Sequence, residues 1–385
     1  MRFSSCRAGS TLSAGIAALA FICSSLIAVA QPVQQPQVPL RTIEEWRQQT
    51  NTGTVRIITK GLGCTCTHIA SDMARVLNRL GELRVLPVLG RGSMQGLADI
   101  LYLKGIDISI LQSDVLNYVK SNGMHPSIEG RIRYITRLYD SELHLLAGPD
   151  FKTVKDLQGQ VVSYDVKGRG SFITAQTVFD AAGVDVQPVY LERDVAIQKV
   201  QSGEIAAAFV VTGKPATSIR QIKKVGGIHL IPVEFSPALA QVYVPSQLTH
   251  DDYPNLIDEG STVSTIAVGE VMAVFNWSRS HERYRKIERF VDAFFSNFRE
   301  FLKPIRHQKW KEVNLSAKVP GWIRFAPAEK KLREILERPR VAGVDDKQQQ
   351  FADFLSRLSG GNVSEAETAL LFEQFLRWSK QQRNN

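Results

Sequence analysis

The sequence predicts an α/β protein of two lobes, hinged by two crossing segments and extended at the C-terminus by helices. Three observations lead there. Strands and helices alternate from about residue 53 to 233, the order that builds mostly parallel sheets covered by helices. Each half has a glycine turn that feeds a helix, Gly61-Leu62-Gly63 in one and Gly168-Arg169-Gly170 in the other. After the second half, Val263 to Phe275 reads as extended and is expected to return to the first, so the chain crosses between the halves twice.

Ahead of the fold, residues 1–30 read as a secretory signal peptide. Arg2 and Arg7 form its positive start, Leu12 to Ile27 its apolar stretch, and Ala28-Val29-Ala30 a small-residue cleavage site before Gln31. The apolar stretch is too short and interrupted to span a membrane, and Ile22 before Cys23 argues against lipoprotein processing. The mature chain is therefore expected in the periplasm and not in the membrane. Residues 31–52 form a leader, rich in Gln and Pro up to Pro39, with a short helix from Leu40.

Formal net charge is +9, and loss of Arg2 and Arg7 leaves +7. The excess is spread along the chain, which favours an anionic surface or anionic small ligands over nucleic acid. With 44% hydrophobic residues the chain can bury real cores without staples. Two of the four cysteines leave with the signal. Cys64 and Cys66 remain one residue apart, too close for an easy bridge, and no disulfide framework is expected.

The first lobe (53–142 with 263–303) opens on Val55, Ile57 and Ile58 as a buried strand. Gly61 and Gly63 break it. From about Thr67 the apolar residues Ile69, Met73, Val76, Leu77 and Leu80 step by three and four, as on one face of a helix. The turn between them offers free N–H groups at the positive end of a helix dipole, a place that favours an anion. Leu83 to Leu89 is the next strand, and Gly90-Arg91-Gly92-Ser93 turns into a helix. Ile106 to Leu111 ends at Gln112-Ser113-Asp114, which opens another. Ile132 to Ala147 reads as two strands, or as one with a bend near Asp140.

The second lobe (143–262) repeats the plan. A short helix at Phe151 to Leu157 precedes the strand Val161 to Ser163, and Gly168-Arg169-Gly170-Ser171 opens the helix through Val178 and Phe179. Strands follow at Val186 to Leu191 and Ala206 to Val211, with a helix at Ala196 to Gln201 between them. Gly213-Lys214-Pro215 turns into a helix with Ile219 and Ile222, and Ile228 to Val233 is a strand. Past it, Tyr284 to Leu302 carries a helical stripe. Residues 304–385 form the C-terminal extension, with amphipathic helices at Phe351 to Leu358 and Glu365 to Trp378.

No enzyme signature is present: no Gly-x-Ser-x-Gly elbow, no His-Glu-x-x-His and no Walker loop. His68 and His144 have no serine placed beside them in sequence and read as surface or core histidines. Gly61 to Cys66 nearly fits a dinucleotide fingerprint, but Val85 to Leu89 lacks the acid such a site needs, so no cofactor is expected. Cys64, Cys66 and His68 lack a fourth ligand, and a helix start does not put alternate residues on one face, so no metal site is expected either.

In register, these motifs resemble the TAXI group of substrate-binding proteins that serve TRAP transporters. The resemblance runs through Gly61 to Thr67, Gly92 to Leu97, the intact Gln112-Ser113-Asp114, Asp156 to Val162, Gly168 to Ser171 and Gly213-Lys214-Pro215. It covers about residues 53–300. Cys66 and Thr67 replace the family's paired aromatics, Gly96 replaces an Asn, and the tail past Lys303 exceeds the usual length.

The resemblance implies a two-lobed periplasmic binding protein type II fold, a Venus flytrap. It implies a binding protein, not an enzyme, that captures a small organic anion (a dicarboxylate or acidic amino acid) and hands it to the membrane subunits of a TRAP-type transporter. The expected ligand-binding residues are Gly63, Cys64, Thr65, Cys66, Arg91, Gly92, Ser93, Ser113, Asp114, Gly168, Arg169, Gly170, Ser171, Gly213 and Pro215. Arg91 and Arg169 occupy equivalent turns, and either can pair with a carboxylate. The alternatives are a ligand sensor or assembly factor acting through the C-terminal helices and, least, a metal-binding protein using Cys64 and Cys66.

Overall fold

Ten strands in one continuous sheet set the architecture, in the order β2-β1-β3-β10-β4-β7-β5-β6, with β8 beside β4 and β9 beside β10. The computed structural model describes residues 42–61, 63–78, 83–223 and 226–337. The expected signal peptide, most of the leader and the helices at Phe351 to Leu358 and Glu365 to Trp378 lie outside the described residues. The chain divides into two units at Trp46/Arg47. Among the described residues the first contributes the start of one helix, and the second holds the sheet.

In chain order the first half contains α1 (Ile43–Gly53), β1 (Thr54–Thr59), α2 (Thr65–Leu77), β2 (Arg84–Leu89), α3 (Ser93–Tyr102), β3 (Ile108–Gln112), α4 (Asp114–Ser121) and α5 (Ile128–Arg131). Then β4 (Ile132–Ala147) crosses to the second half: β5 (Val161–Ser163), α6 (Gly170–Ala182), β6 (Gln187–Val189), α7 (Arg193–Gln201), β7 (Ala207–Thr212), α8 (Thr217–Arg220), β8 (His229–Leu230) and β9 (Tyr243–Thr249). The chain returns along β10 (Thr262–Phe275) to α9 (Glu282–Ser296), α10 (Phe298–Phe301) and α11 (Ala326–Glu337).

The halves share one plan. In the first, β1 pairs in parallel with β2 and β3, and β10 closes antiparallel against β3. In the second, β5 pairs in parallel with β6 and β7, and β4 closes antiparallel against β7. The two long strands pair with each other and so join the halves. β4 is one strand, not two. The register between β4 and β10 shifts twice, between Gly269 and Val271 and again between Val271 and Ala273, and Asp140 stands opposite Gly269. The bend expected near Asp140 is thus a bulge, which lets a strand turn without ending.

Each sheet half is covered on both faces. β1 and α2 bury Val55, Ile57, Ile69 and Met73 against Phe290 and Phe294 of α9. On the other face Ile58, Leu97, Val115 and Val271 form a second cluster. Leu145, Val178, Phe179 and Phe209 begin the matching pair in the second half, completed by Val200, Val210, Ile219 and Tyr253.

The segment after Lys303 corrects the picture of an added extension. Trp310, Phe325 and Ala328 are fully buried in the same cluster as Val55 and Phe290. Phe325 N–H donates to the Tyr134 carbonyl at 2.8 Å, and Tyr134 N–H to the Ile323 carbonyl at 3.1 Å. Residues 304–337 therefore build the core of the first half. Other differences are local. Ile228 to Val233 pairs over two residues only, and β9, with Tyr243-Val244-Pro245 at its start, is a strand that the sequence pattern does not announce. No described helix is long and apolar enough to cross a membrane.

Candidate functional site

A cleft of about 520 Å³ opens between the halves. Its walls come from the carboxyl ends of the parallel strands on both sides. Lys60 follows β1, Gln112 ends β3, Asp165 follows β5 and Thr212 ends β7. Ligands of open α/β sheets sit at such ends because the turns there free their backbone groups. The first turns of α2, α6 and α7 face the same space through Cys64, Gly170 and Arg193. The positive ends of these helix dipoles add a positive bias.

Five of the expected ligand residues line this cleft: Gly63, Cys64, Arg169, Gly170 and Ser171. Thr65, Cys66, Arg91, Gly92, Ser93, Ser113, Asp114, Gly168, Gly213 and Pro215 do not. Arg91 is exposed and off the wall. The physical reason for most of the others is that the turns of one half meet the turns of the other. Met94 N–H, at the start of α3, donates to the Gly168 carbonyl at 3.0 Å, so this helix end is satisfied by protein. Thr65 Oγ1–H donates to the Gly213 carbonyl at 3.3 Å, next to the cis Lys214-Pro215 bond. A Cβ on Gly92 would stand 2.9 Å from Arg169 Cα, and its φ of 137° already favours glycine. The trunks of the two halves are in contact here, and the cleft lies beside that contact.

Cys64 and Cys66 are joined as a disulfide, a single strap between near neighbours and not a framework across the fold. The chain is extended at Cys64 (φ −79°, ψ 138°) and helical from Thr65. That change of direction puts the Cα atoms 5.2 Å apart, inside the usual span for a bridge. Cys64 Sγ also accepts Cys66 N–H at 3.1 Å and caps α2. Among the described residues no three His, Cys, Asp or Glu side chains are placed to hold a metal ion.

The charges in the cleft are mostly spoken for. Arg169 donates to Asp165 at 2.8 Å and to Glu192 at 2.9 Å. Lys60 pairs with the fully buried Glu270, which also accepts Ser141 Oγ–H at 2.7 Å. Arg193 and Gln112 line the cleft as well, and neither is among the expected site residues. Gln112 belongs to the Gln-Ser-Asp motif, but only its two neighbours read as ligands; Arg193 falls between the strand expected to end at Leu191 and the helix expected from Ala196, in no motif. His144 is buried and structural. Its Nε2 accepts Tyr253 O–H at 2.6 Å, its Nδ1–H points at the Val210 carbonyl at 3.3 Å, and burial holds its pKa down to about 3. His68 is exposed and stacks on His307 at 5.7 Å between ring centroids.

Asp114 ties the halves together away from the cleft. Its Oδ2 accepts Tyr243 O–H at 3.0 Å and Thr174 O–H at 3.2 Å, both from the second half, while Oδ1 has no partner. Burial pushes this carboxyl up to about 6 against those two bonds, with Glu270 adding and Lys60 opposing. The folded value lies above the ordinary 3.8. The associated stability is therefore full below 3.8 and lost as pH rises through about 6. An Asp114→Asn variant should lack that dependence, a difference of about 3 kcal/mol between pH 3.5 and 7. Urea midpoints measured across that range check it; parallel profiles for parent and variant would contradict it.

These features define a class, an α/β fold of two similar halves, each a parallel sheet closed by one antiparallel strand, joined through two long paired strands. The chain belongs to the NMT1-like family, whose sequence profile matches residues 81–321. Among solved structures it is similar to one described as a periplasmic transporter, at 15% identity and a TM-score of 0.45, over 74% of this chain and 93% of that one. It is also similar to the alkanesulfonate-binding protein SsuA of Xanthomonas axonopodis pv. citri bound to MOPS, at 15% and 0.41, over 79% and 93%. A third is a TctC solute-binding protein from Polaromonas, at 14% and 0.40, over 67% and 86%.

Proposed function

We propose that this protein is an extracytoplasmic solute-binding protein that captures a small organic anion between its lobes and delivers it to a TRAP-type membrane transporter. The observation that carries the reading is the cleft itself, walled by strand ends from both halves, which two long strands connect. A ligand touching both walls would bind the closed state best and so drive closure. The six motifs that resemble TAXI proteins support the TRAP partner, and the N-terminal signal supports a periplasmic location.

A thermal-shift screen of mono- and dicarboxylates, oxo acids and acidic amino acids tests the proposal. A ligand at a hundred times its dissociation constant stabilises by about 2.7 kcal/mol. For a chain of this size that raises the melting midpoint by on the order of a few degrees. At least one acid is expected to do so. A panel of acids that is silent, while neutral or cationic solutes shift the midpoint, would refute capture of an anion.

A further inference from the structure

Resting on that reading, we infer that the cleft selects a monocarboxylate with a second, uncharged hydrogen-bonding group such as a carboxamide, and not a dicarboxylate. Arg193 takes the carboxylate and the Gln112 amide takes the second group.

The charge distribution decides the first half of this. Three cations face the cleft: Lys60, Arg169 and Arg193. Lys60 is held by Glu270, and Arg169 by Asp165 and Glu192. Arg193 differs. Its Nη1 reaches Ser218 Oγ at 3.4 Å, its Nε has no partner, and no carboxylate pairs with it among the described residues. A half-buried guanidinium in that state is a countercharge for one anionic group. A second carboxylate would find Asp165, Glu192 and Asp194 on the wall and no cation left to meet it.

The amide decides the second half. Gln112 is 0% exposed, yet its Oε1 and Nε2 both lack partners. Its position is fixed by the opposite lobe, since a Cβ on Gly170 would stand 1.0 Å from Gln112 Oε1. Only a glycine leaves room for it there. A buried amide with neither end hydrogen-bonded is matched by a group that donates and accepts at once. A carboxamide does both. A carboxylate satisfies the NH2 alone and sets a negative oxygen against Oε1.

Isothermal titration of the mature protein with matched pairs separates the two ligand types: malonate and malonamate, succinate and succinamate, glutarate and glutaramate. In at least one pair the half-amide is expected to bind tenfold or more tightly than its diacid. Arg193→Gln should weaken that half-amide about thirtyfold or more. Gln112→Leu should bring it down to the level of the plain monocarboxylate of equal length. If Arg193→Gln does not fold, Arg193→Lys, which keeps the charge but not the fork, should still weaken binding several-fold. A diacid that binds more tightly than every half-amide overturns the inference and leaves anion capture standing. So does an arginine variant that binds like the parent. A parent that binds none of these acids overturns both.

Discussion

Replacing Lys309 with methionine is expected to destabilise the protein by about 3–5 kcal/mol, the usual effect of removing one partner from a buried ion pair. Lys309 is 1% exposed. Its ammonium meets Glu142 Oε1 at 2.5 Å and Glu312 at 2.9 Å, while Glu142 Oε2 accepts Lys214 N–H at 2.8 Å. Glu142 lies on β4 opposite Thr212 and Ala267, where the crossing strands pass between the halves. Without the lysine it would be a carboxylate buried at the hinge with one backbone donor. Burial pushes this carboxyl up to about 7 even against the pull of Lys309.

That fixes the pH dependence of the Lys309→Met penalty. In the variant the folded pKa is raised above its unfolded value, so folding loses stability as pH rises through it. The penalty should therefore be largest near pH 8 and shrink toward pH 5, where a protonated Glu142 is neutral. Adding Glu142→Leu should restore most of the loss, because two apolar side chains then replace the pair. Urea or thermal midpoints of the three variants read this out. A single variant as stable as the parent at pH 8 would show that the pair contributes little.

This pair also shows why part of the molecule is not legible in sequence. Lys309 sits in His-Gln-Lys-Trp-Lys-Glu, a run whose charges suggest a solvated surface. What buries it is Glu142, distant in sequence and brought close only by the hinge. The local patterns are informative where a strand, a glycine turn and an apolar helix face succeed each other directly. Val55 to Leu77 and Val161 to Phe179 are of that kind, and the five expected ligand residues that line the cleft all come from their turns. Pairing across the molecule carries no such local signal. Gly92, Gly168 and Gly213 look like ligand turns because they begin helices or come after strands, yet their neighbours are the turns of the other half. Arg193 and Gln112 stand out only once the partners of the other charges are known. β9 is hidden by Pro245 and by a broken alternation, since Val244 is exposed and only Tyr243 and Leu248 are buried.

Trp310→Ala is expected to cost about 3–5 kcal/mol as well, by a different route. The indole is fully buried, stacks on Phe301 at 4.3 Å and borders Phe294 and Phe298 at 6.1 and 6.3 Å between ring centroids. Its Nε1–H donates to Asp72 Oδ2 at 3.0 Å, and His307 N–H donates to the same oxygen at 2.9 Å. Alanine would open a cavity among three phenylalanines and take one donor from a buried carboxylate. Trp310→Phe should cost less, since it keeps most of the packing and loses the hydrogen bond and only part of the ring volume. Ending the chain at Lys303 should have a larger effect than either. It removes Trp310, Phe325 and Ala328 from the first core and exposes Phe290 and Phe294, and the truncated protein should be insoluble. Were it instead soluble, with a melting midpoint near that of the parent, residues 304–337 would be an accessory to the first half and not a part of its core.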